Sequence, residues 1–422
     1  MRHIAIIGSG PAGCYLADQL LRLLPDASVD VLERLPVPFG LVRYGVAPDH
    51  QGTKAIVRVL DRVLSGKQVS FFGNVEVGRD VQLRELMSLY DAVVLATGAT
   101  RDRRLGIRGE DLPGVTGSSE FTGWYNSHPE RKAPPVRGVR SAVIIGNGNV
   151  AIDVVRVLAK GTTELAGSDL SPEVTAWLEA QPIESVHIVG RRGAADTKFT
   201  EHELAELGKL ERARPVVVDP VGLVGDSPVV QTLRRFATEE VRTTPVTINF
   251  HFNLKPDEFL AEERLRAVRF RSADSHIMEL SAQLAVTCIG YETVACDEAI
   301  PVNGVFPNDN GQVKEGLYVV GWAKRGPSGT IPTNRTEAQQ VAQKMAQELN
   351  DSNRPGGSAL RQLLGERHVR WVDYAAWRRI DAAEVTRAGA RRVREKFGSV
   401  AEMLEAAQLS PLQQERAVRS AG

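Results

Sequence analysis

Residues 3–13 read HIAIIGSGPAG, five residues suited to a buried parallel strand that run straight into Gly8-Ser9-Gly10-Pro11-Ala12-Gly13. The following CYLADQLLRLL carries Leu16, Leu20, Leu23 and Leu24 at helical spacing, so the glycines join a strand to a helix. In that setting Gly8 permits the tight turn, Gly10 lets backbone amides approach a pyrophosphate, and Gly13 lets helix and strand pack closely. The helix N-terminus, opening at Pro11 and Ala12, favours the negative charge. A second strand, SVDVLER, brings Glu33 20 residues after Gly13. A carboxylate there accepts hydrogen bonds from an adenosine ribose and repels a ribose phosphate, so this site suits FAD or NAD rather than NADP. A G-x-G-x-x-G by itself is a common turn. Strand, loop, helix, strand and acid together make it a dinucleotide site.

The pattern occurs twice. Ser141 to Ile145 is another buried-strand run, followed by Gly146-Asn147-Gly148-Asn149-Val150-Ala151, in which Ala151 replaces the last glycine and is small enough for its packing role. The helix AIDVVRVLAK turns Ile152, Val155 and Leu158 inward. Further on, the strand Val186 to Val189 ends in Gly190-Arg191-Arg192-Gly193, where the first loop's partner strand ended in Glu33. Two adjacent arginines are ordinarily a solvated surface pair. After a dinucleotide fingerprint they reverse the first site's preference, because guanidinium groups bind phosphate through paired, charge-assisted hydrogen bonds. The second site therefore reads as NADP-specific. A flavin at the first site and a nicotinamide at the second exchange a hydride when their rings stack.

Two more short buried runs, YDAVVLATGA with Thr97-Gly98 at its end and LAVTCIG around Gly290, return the chain past the two loops. The second fingerprint lies between them. The expected fold is α/β, with two Rossmann-like three-layer domains, the NADP-binding one inserted into a discontinuous FAD-binding one. Its parts are residues 1–103, 104–290 and 291–422, the last with a C-terminal helical extension. Near the end of the FAD-binding part, Leu317 to Val320 is one more strand, and Thr330 and Ile331 stand just ahead of a helix. The N-terminus of that helix is suited to stabilising negative charge on a reduced ring.

Bulk composition excludes several classes. With 52 basic and 52 acidic side chains, no global field draws the chain to nucleic acid or an anionic membrane. No run approaches a membrane span, and the N-terminus leads directly into a glycine loop, so neither a signal peptide nor a transmembrane helix is expected. The three cysteines, Cys14, Cys288 and Cys296, form no C-x-x-C pair, which removes a redox dithiol and a cysteine-bound cluster and fits a reducing cytoplasm. Cys14 is expected to be buried and inert.

Five stretches in order, GSGPAGCYLADQLL, PFGLVRYGVAPDH, GNGNVAIDVVRVL, GRRGAADTKFTEHEL and GWAKRGPSGTIPTNRTEA, span residues 8–338. Together they resemble the adrenodoxin reductase-like ferredoxin-NADP reductases of the bacterial ferredoxin reductase A type, a branch of the glutathione reductase superfamily. The resemblance implies FAD in the first site, NADPH in the second, and electrons delivered singly to a ferredoxin-type iron-sulfur protein. It implies flavin contacts at Gly40, Leu41, Val42, Thr97 and Gly98. Trp322, Gly329, Thr330 and Ile331 become flavin and nicotinamide contacts, Asn149 and Val150 the turn at the NADP pyrophosphate, and Arg191 and Arg192 the 2'-phosphate ligands. His50, Asp153 and Glu203 become the lining of the reaction site. Without the resemblance, His50 in a proline turn reads as a surface residue and Asp153 as an ordinary acid near a helix start.

An acidic ferredoxin calls for a basic docking face, and Arg234 and Arg235 in VVQTLRRFATEEV are candidates, although the family's other arginine falls on Gln231. The segment from Gly365 to Phe397 interleaves Arg378, Arg379, Arg391, Arg392 and Arg394 with Trp371, Tyr374 and Trp377. It also holds Asp373, Asp381, Glu384 and Glu395, which favours packing helices over a nucleic-acid surface. Two other functions use the same loops: an NADPH-dependent flavin monooxygenase or oxidase, and a dinucleotide-sensing protein without turnover.

Overall fold

The computed structural model describes residues 1–239, 242–350, 353–390 and 392–408. Their contacts divide into two compact units. The first comprises residues 1–46, 50–101 and 291–422, and the second residues 47–49 and 102–290. Apart from Ala47–Asp49, the chain passes to the second unit after Arg101 and returns at Tyr291. Ala47–Asp49 belongs to the second unit because Arg156 and Lys160 both bind the Asp49 carboxylate.

The first unit is built on a six-stranded sheet in the order Gln312–Lys314, Leu317–Val319, Ala92–Leu95, His3–Ile7, Ser28–Glu33, Val69–Gly73. All neighbours run parallel except the first pair. Because side chains alternate along a strand, Ile4 and Ile6 enter one core and Ala5 and Ile7 the other. The Ile4 side is covered by helices Pro11–Leu23 and Ile331–Glu348, which pack on each other, and the Ala5 side by helices Leu83–Leu89 and Gly357–Glu366. Both faces being buried is what makes these strands read as continuous apolar runs.

The second unit repeats the plan with a parallel sheet in the order Val115–Gly117, Leu284–Thr287, Ser141–Ile145, Ser185–Val189, Val246–His251, Ala213–Val217. Helices Asn149–Ala159 and Glu201–Leu207 contribute to the core on one face. On the other lies an antiparallel sheet of Leu254–Ala261, Leu265–Ser272 and Ile277–Ser281, whose Phe259, Val268 and Phe270 join Val143 and Ile145 in a separate core. Both units are α/β and three-layered.

The C-terminal extension folds into the core of the first unit. Helices Tyr374–Arg387 and Val400–Gln408 pack together, and Trp377, Ile380 and Met403 are buried. Its arginines are spent on neighbours: Arg378 pairs with Asp61 at 3.1 Å, Arg394 with Asp381 at 2.7 Å, and Arg379 donates to the carbonyl of Ala407. Arg391 lies outside the described residues. Cys14 is fully buried, and burial pushes its thiol far above the ordinary range, so it stays protonated.

Candidate functional site: two dinucleotide loops

The two loops are one backbone solution used twice. In the first, the amide of Gly8 donates to the carbonyl of Leu32 (2.8 Å) and that of Ala96 to Ile7 (2.8 Å); in the second, Gly146 donates to Val189 (2.9 Å) and Cys288 to Ile145 (2.7 Å). Gly8 and Gly146 both take positive φ, 113° and 142°. A Cβ at Gly8 would lie 2.4 Å from the Ala96 oxygen, and one at Gly146 would lie 2.2 Å from that of Cys288, so neither position admits a side chain. At Gly10 and Gly148 a Cβ would meet nothing within 4 Å. These glycines leave open space in front of the helices that begin at Pro11 and Asn149, where backbone amides are free to face an anion. Gly13 packs so closely that a Cβ would sit 2.1 Å from the Gly8 oxygen, whereas Ala151 is accommodated, fully buried.

Beyond the turns the loops diverge. Glu33 is half-buried, and its Oε2 accepts from the amide (3.1 Å) and hydroxyl (2.6 Å) of Ser9. Strand register pairs Ile7 with Leu32 and Ile145 with Val189, so the counterpart of Glu33 is Gly190, one residue before the arginines. Gly190 has no side chain because the Asn147 amide occupies that place, only 1.8 Å from where a Cβ would be. Arg191 and Arg192 follow, both exposed. Asn147 also binds the next segment, its carbonyl accepting from the amides of Lys198 (2.7 Å) and Phe199 (3.1 Å), while Asn149 Oδ1 accepts from Thr200 (2.8 Å). GRRGAADTKFTEHEL is thereby folded back onto GNGN, with Glu203 in the first turn of the helix that Thr200 caps.

The first loop is covered by its own chain. Phe39 donates its amide to the Ser9 carbonyl (3.2 Å), and a Cβ on Gly40 would lie 3.4 Å from the Gly10 Cα. Leu41 is exposed and Val42 buried on the short helix Gly40–Tyr44. From the far end of the unit, Gly321 (φ 75°) brings its backbone against Ala12, and its amide donates to the buried Glu337, which Lys324 and Arg325 neutralise. Trp322 stacks on Tyr291 with ring centroids 5.9 Å apart, and its Nε1 donates to Ser328. Gly329 takes a positive φ of 81° next to Thr330, which caps the Ile331–Glu348 helix through a reciprocal box with Thr333. Gly98 is open on its Cβ side, with its carbonyl held by Thr293. The Thr97 Oγ1 and the Asn147 Oδ1 are buried with no hydrogen-bond partner in the chain. Each stands beside the loop of its own unit, where it is available to a polar ligand.

Asp153 and Glu203, predicted separately, share one buried cation in the second unit. Arg156, 1% exposed, binds Asp49 through two hydrogen bonds (2.9 and 3.1 Å) and Asp153 through one (2.8 Å), and stands 3.5 Å from both Glu203 and Glu206. Burial opposes its charge, but these carboxylates raise its pKa above the ordinary arginine value. Burial likewise opposes the charge on Asp49, yet Arg156 and Lys160 hold that carboxyl well below its usual range. Sequence reasoning missed Arg156 and Asp49. The available signal was an arginine within the apolar run VAIDVVRVL, where a charge is tolerated only when paired. His50, in the first unit, opens the short helix Gln51–Lys54, its carbonyl accepting from Lys54. Arg234 and Arg235 are exposed but partnered, Arg234 with Asp226 (3.1 Å) and Arg235 with Glu239 (3.5 Å), and Gln231 is exposed on the same helix.

Two α/β units that each carry such a loop define a dinucleotide-dependent flavoprotein oxidoreductase class. The family model described as pyridine nucleotide-disulphide oxidoreductase matches residues 2–346, and the chain belongs to that family. Within it, the chain is 38% identical to the NADPH-ferredoxin reductase FprA of Mycobacterium leprae, over 96% of this chain and 98% of the relative. It is 38% identical to the cindoxin reductase of Citrobacter braakii (95% and 90%) and 37% to the human mitochondrial NADPH:adrenodoxin oxidoreductase (95% and 91%). The solved structure of Mycobacterium tuberculosis FprA in complex with NADPH superposes with a TM-score of 0.90 at 35% identity, over 96% of this chain and 99% of the other. The chain is a member of the adrenodoxin reductase-like ferredoxin reductases. Among the described residues no helix is long and apolar enough to cross a membrane.

Proposed function

We propose that this chain is an NADPH:ferredoxin reductase that holds FAD at the Gly8–Gly13 loop, in the discontinuous first unit, and takes NADPH at the Gly146–Ala151 loop of the inserted second unit. The observation that carries this is the opposite chemistry at two like turns: a carboxylate beside the first loop, and two exposed arginines beside the second. Gly10, Pro11 at the first helical position and the amide of Ala12 accommodate one pyrophosphate, and Gly148, Asn149 and Val150 the other. Glu33 takes ribose hydroxyls, and Arg191 and Arg192 take the 2'-phosphate that Glu33 would repel. Thr97, Gly98, Gly40 to Val42, Trp322 and Gly329 to Ile331 bind and orient the flavin and nicotinamide, and Asn147 offers its buried Oδ1.

FAD, when bound, would supply the conversion of the two electrons of one hydride from NADPH into single electrons for an iron-sulfur protein. No protein acid is needed for hydride transfer, so the work of the side chains is orientation and exclusion of water. His50, Asp153 and Glu203 line the reaction site in this reading, with Arg156 fixing the two carboxylates so that they neither move nor become uncompensated as charge shifts. No dithiol relay is present, since Cys14, Cys288 and Cys296 are all free thiols. The acceptor is a ferredoxin-type protein, with Arg234 and Arg235 as part of its docking face and the cytoplasm as the place of work. The test is anaerobic reduction of the purified yellow protein. NADPH is expected to bleach the flavin much faster than NADH, and adding a ferredoxin to accelerate cytochrome c reduction. Oxygen-dependent product formation instead would favour a monooxygenase.

A further inference from the structure

The segment that covers the first loop is not held by that loop alone. Phe39 adopts a left-handed φ of 84°, a costly conformation for a bulky residue that persists only where its surroundings enforce it. The enforcing groups come from the C-terminal extension, which neither cofactor motif includes. The Phe39 ring, 1% exposed, meets the Trp377 ring edge-on with centroids 5.8 Å apart at 80°. Four residues on, the buried Arg43 reaches Glu384, its guanidinium lying 5.2 Å from the Tyr44 ring and 5.4 Å from that of Trp377. Glu384 has no exposed surface, and it also accepts from Arg394 (3.0 Å) and from the amide of Phe397 (3.1 Å). Burial opposes ionisation, but Arg43 keeps the Glu384 carboxyl below its ordinary range.

A buried ion pair is a poor way to gain stability, because desolvation offsets most of its attraction, and apolar residues would serve as well. What it supplies is direction: a rigid, charge-matched strut between a strained segment and a helix 341 residues away. We propose that the C-terminal extension is the positioning element of the FAD site. Glu384 acts through Arg43, and Trp377 through Phe39, to hold Phe39–Val42 against the Gly8–Gly13 loop and so set how tightly the flavin is retained. This rests on the reading of the first loop as the FAD site.

The test compares FAD dissociation, read by flavin fluorescence, from the full-length holoprotein and its variants. Glu384→Gln, which leaves the Arg43 charge buried without its counter-ion, is expected to raise the FAD Kd roughly tenfold or more. Arg43→Gln should do the same, and the double variant should exceed neither by much, since the two act as one strut. Glu384→Asp should restore most of the affinity, and NADPH KM measured at saturating FAD should not move. Ile380→Val, a core change in the same helix, should lower thermal stability without loosening FAD. If Glu384→Gln fails to fold, Trp377→Phe, which trims the ring that Phe39 packs against, decides the matter: it is expected to speed FAD dissociation, and a rate equal to that of the natural chain overturns the proposal. Equal FAD retention in all variants, or equal loss in Ile380→Val, also overturns it. A natural chain that binds no FAD would instead remove the reading underneath.

Discussion

The two glycine loops share a hydrogen-bond pattern and a first glycine that admits no Cβ, yet different parts of the chain return onto them. Around Gly8–Gly13 the chain returns from both directions, through Phe39–Tyr44 and Gly321–Ile331, and braces the first of these with a buried ion pair. Around Gly146–Ala151 the segment Lys198–Thr200 returns onto the loop, and the strand end carries two exposed arginines. In the proposed function the same turn serves a resident group and an exchanging one, and the difference lies in what is packed against it. A covered site releases its ligand only if the covering segment moves, whereas a rim of exposed charge allows the ligand to arrive and leave quickly.

The largest effects should come from the forbidden positions. Gly8→Val is expected to yield colourless protein, and Gly146→Val a yellow protein that NADPH no longer bleaches, because each Cβ would overlap a backbone oxygen that cannot move. A colourless Gly146→Val would break the assignment of loops to cofactors. Next, replacing Arg191 and Arg192 together by alanine should raise the NADPH KM by roughly 10- to 100-fold with little change for NADH, the range expected for losing charged hydrogen bonds at an exposed site. A fall in kcat alone would mean that the pair acts elsewhere. Glu33→Gln keeps the shape but removes the charge that fixes Ser9, and should weaken FAD by roughly three- to tenfold while leaving NADPH KM untouched.

The smallest effect is on stability and distinguishes the units by pH. His251 and His187 lie 3.0 Å apart in the second unit, and burial with the neighbouring ring lowers the His251 pKa to about 4. The unfolded chain, with an ordinary value of 6.5, binds more protons than the folded one between those two values. Stability of the second unit should therefore fall as pH drops from 6.5 towards 4, by on the order of 2 kcal/mol. His251→Gln should flatten that slope in thermal melts. Carboxylates held low by arginine, such as Glu384 and Asp49, give up their contribution only below the usual carboxylate range.

Much of the fold was legible because its signals are short-range. A buried strand, a glycine turn and a helix lie within about six residues of each other, and steric exclusion by neighbouring carbonyls dictates glycine at Gly8 and Gly146. Glu33 and the arginine pair were legible for the same reason, each marking the end of a strand. The sequence did not show that Gly190, not Arg191, is the register partner of Glu33, since that depends on hydrogen-bonded pairing and on an Asn147 side chain that takes the vacated place. Nor did it reveal that Asp153 and Glu203 meet at Arg156.

By itself, then, the sequence determined two α/β units, two glycine turns and the opposite charges beside them, because local sterics and the sign of a side chain are properties of the chain itself. Tertiary structure alone decided which segments pack on each loop and where the arginine-rich extension lies. Arg43 and Glu384 are 341 residues apart, and no local pattern marks a charge whose partner arrives only when the core closes.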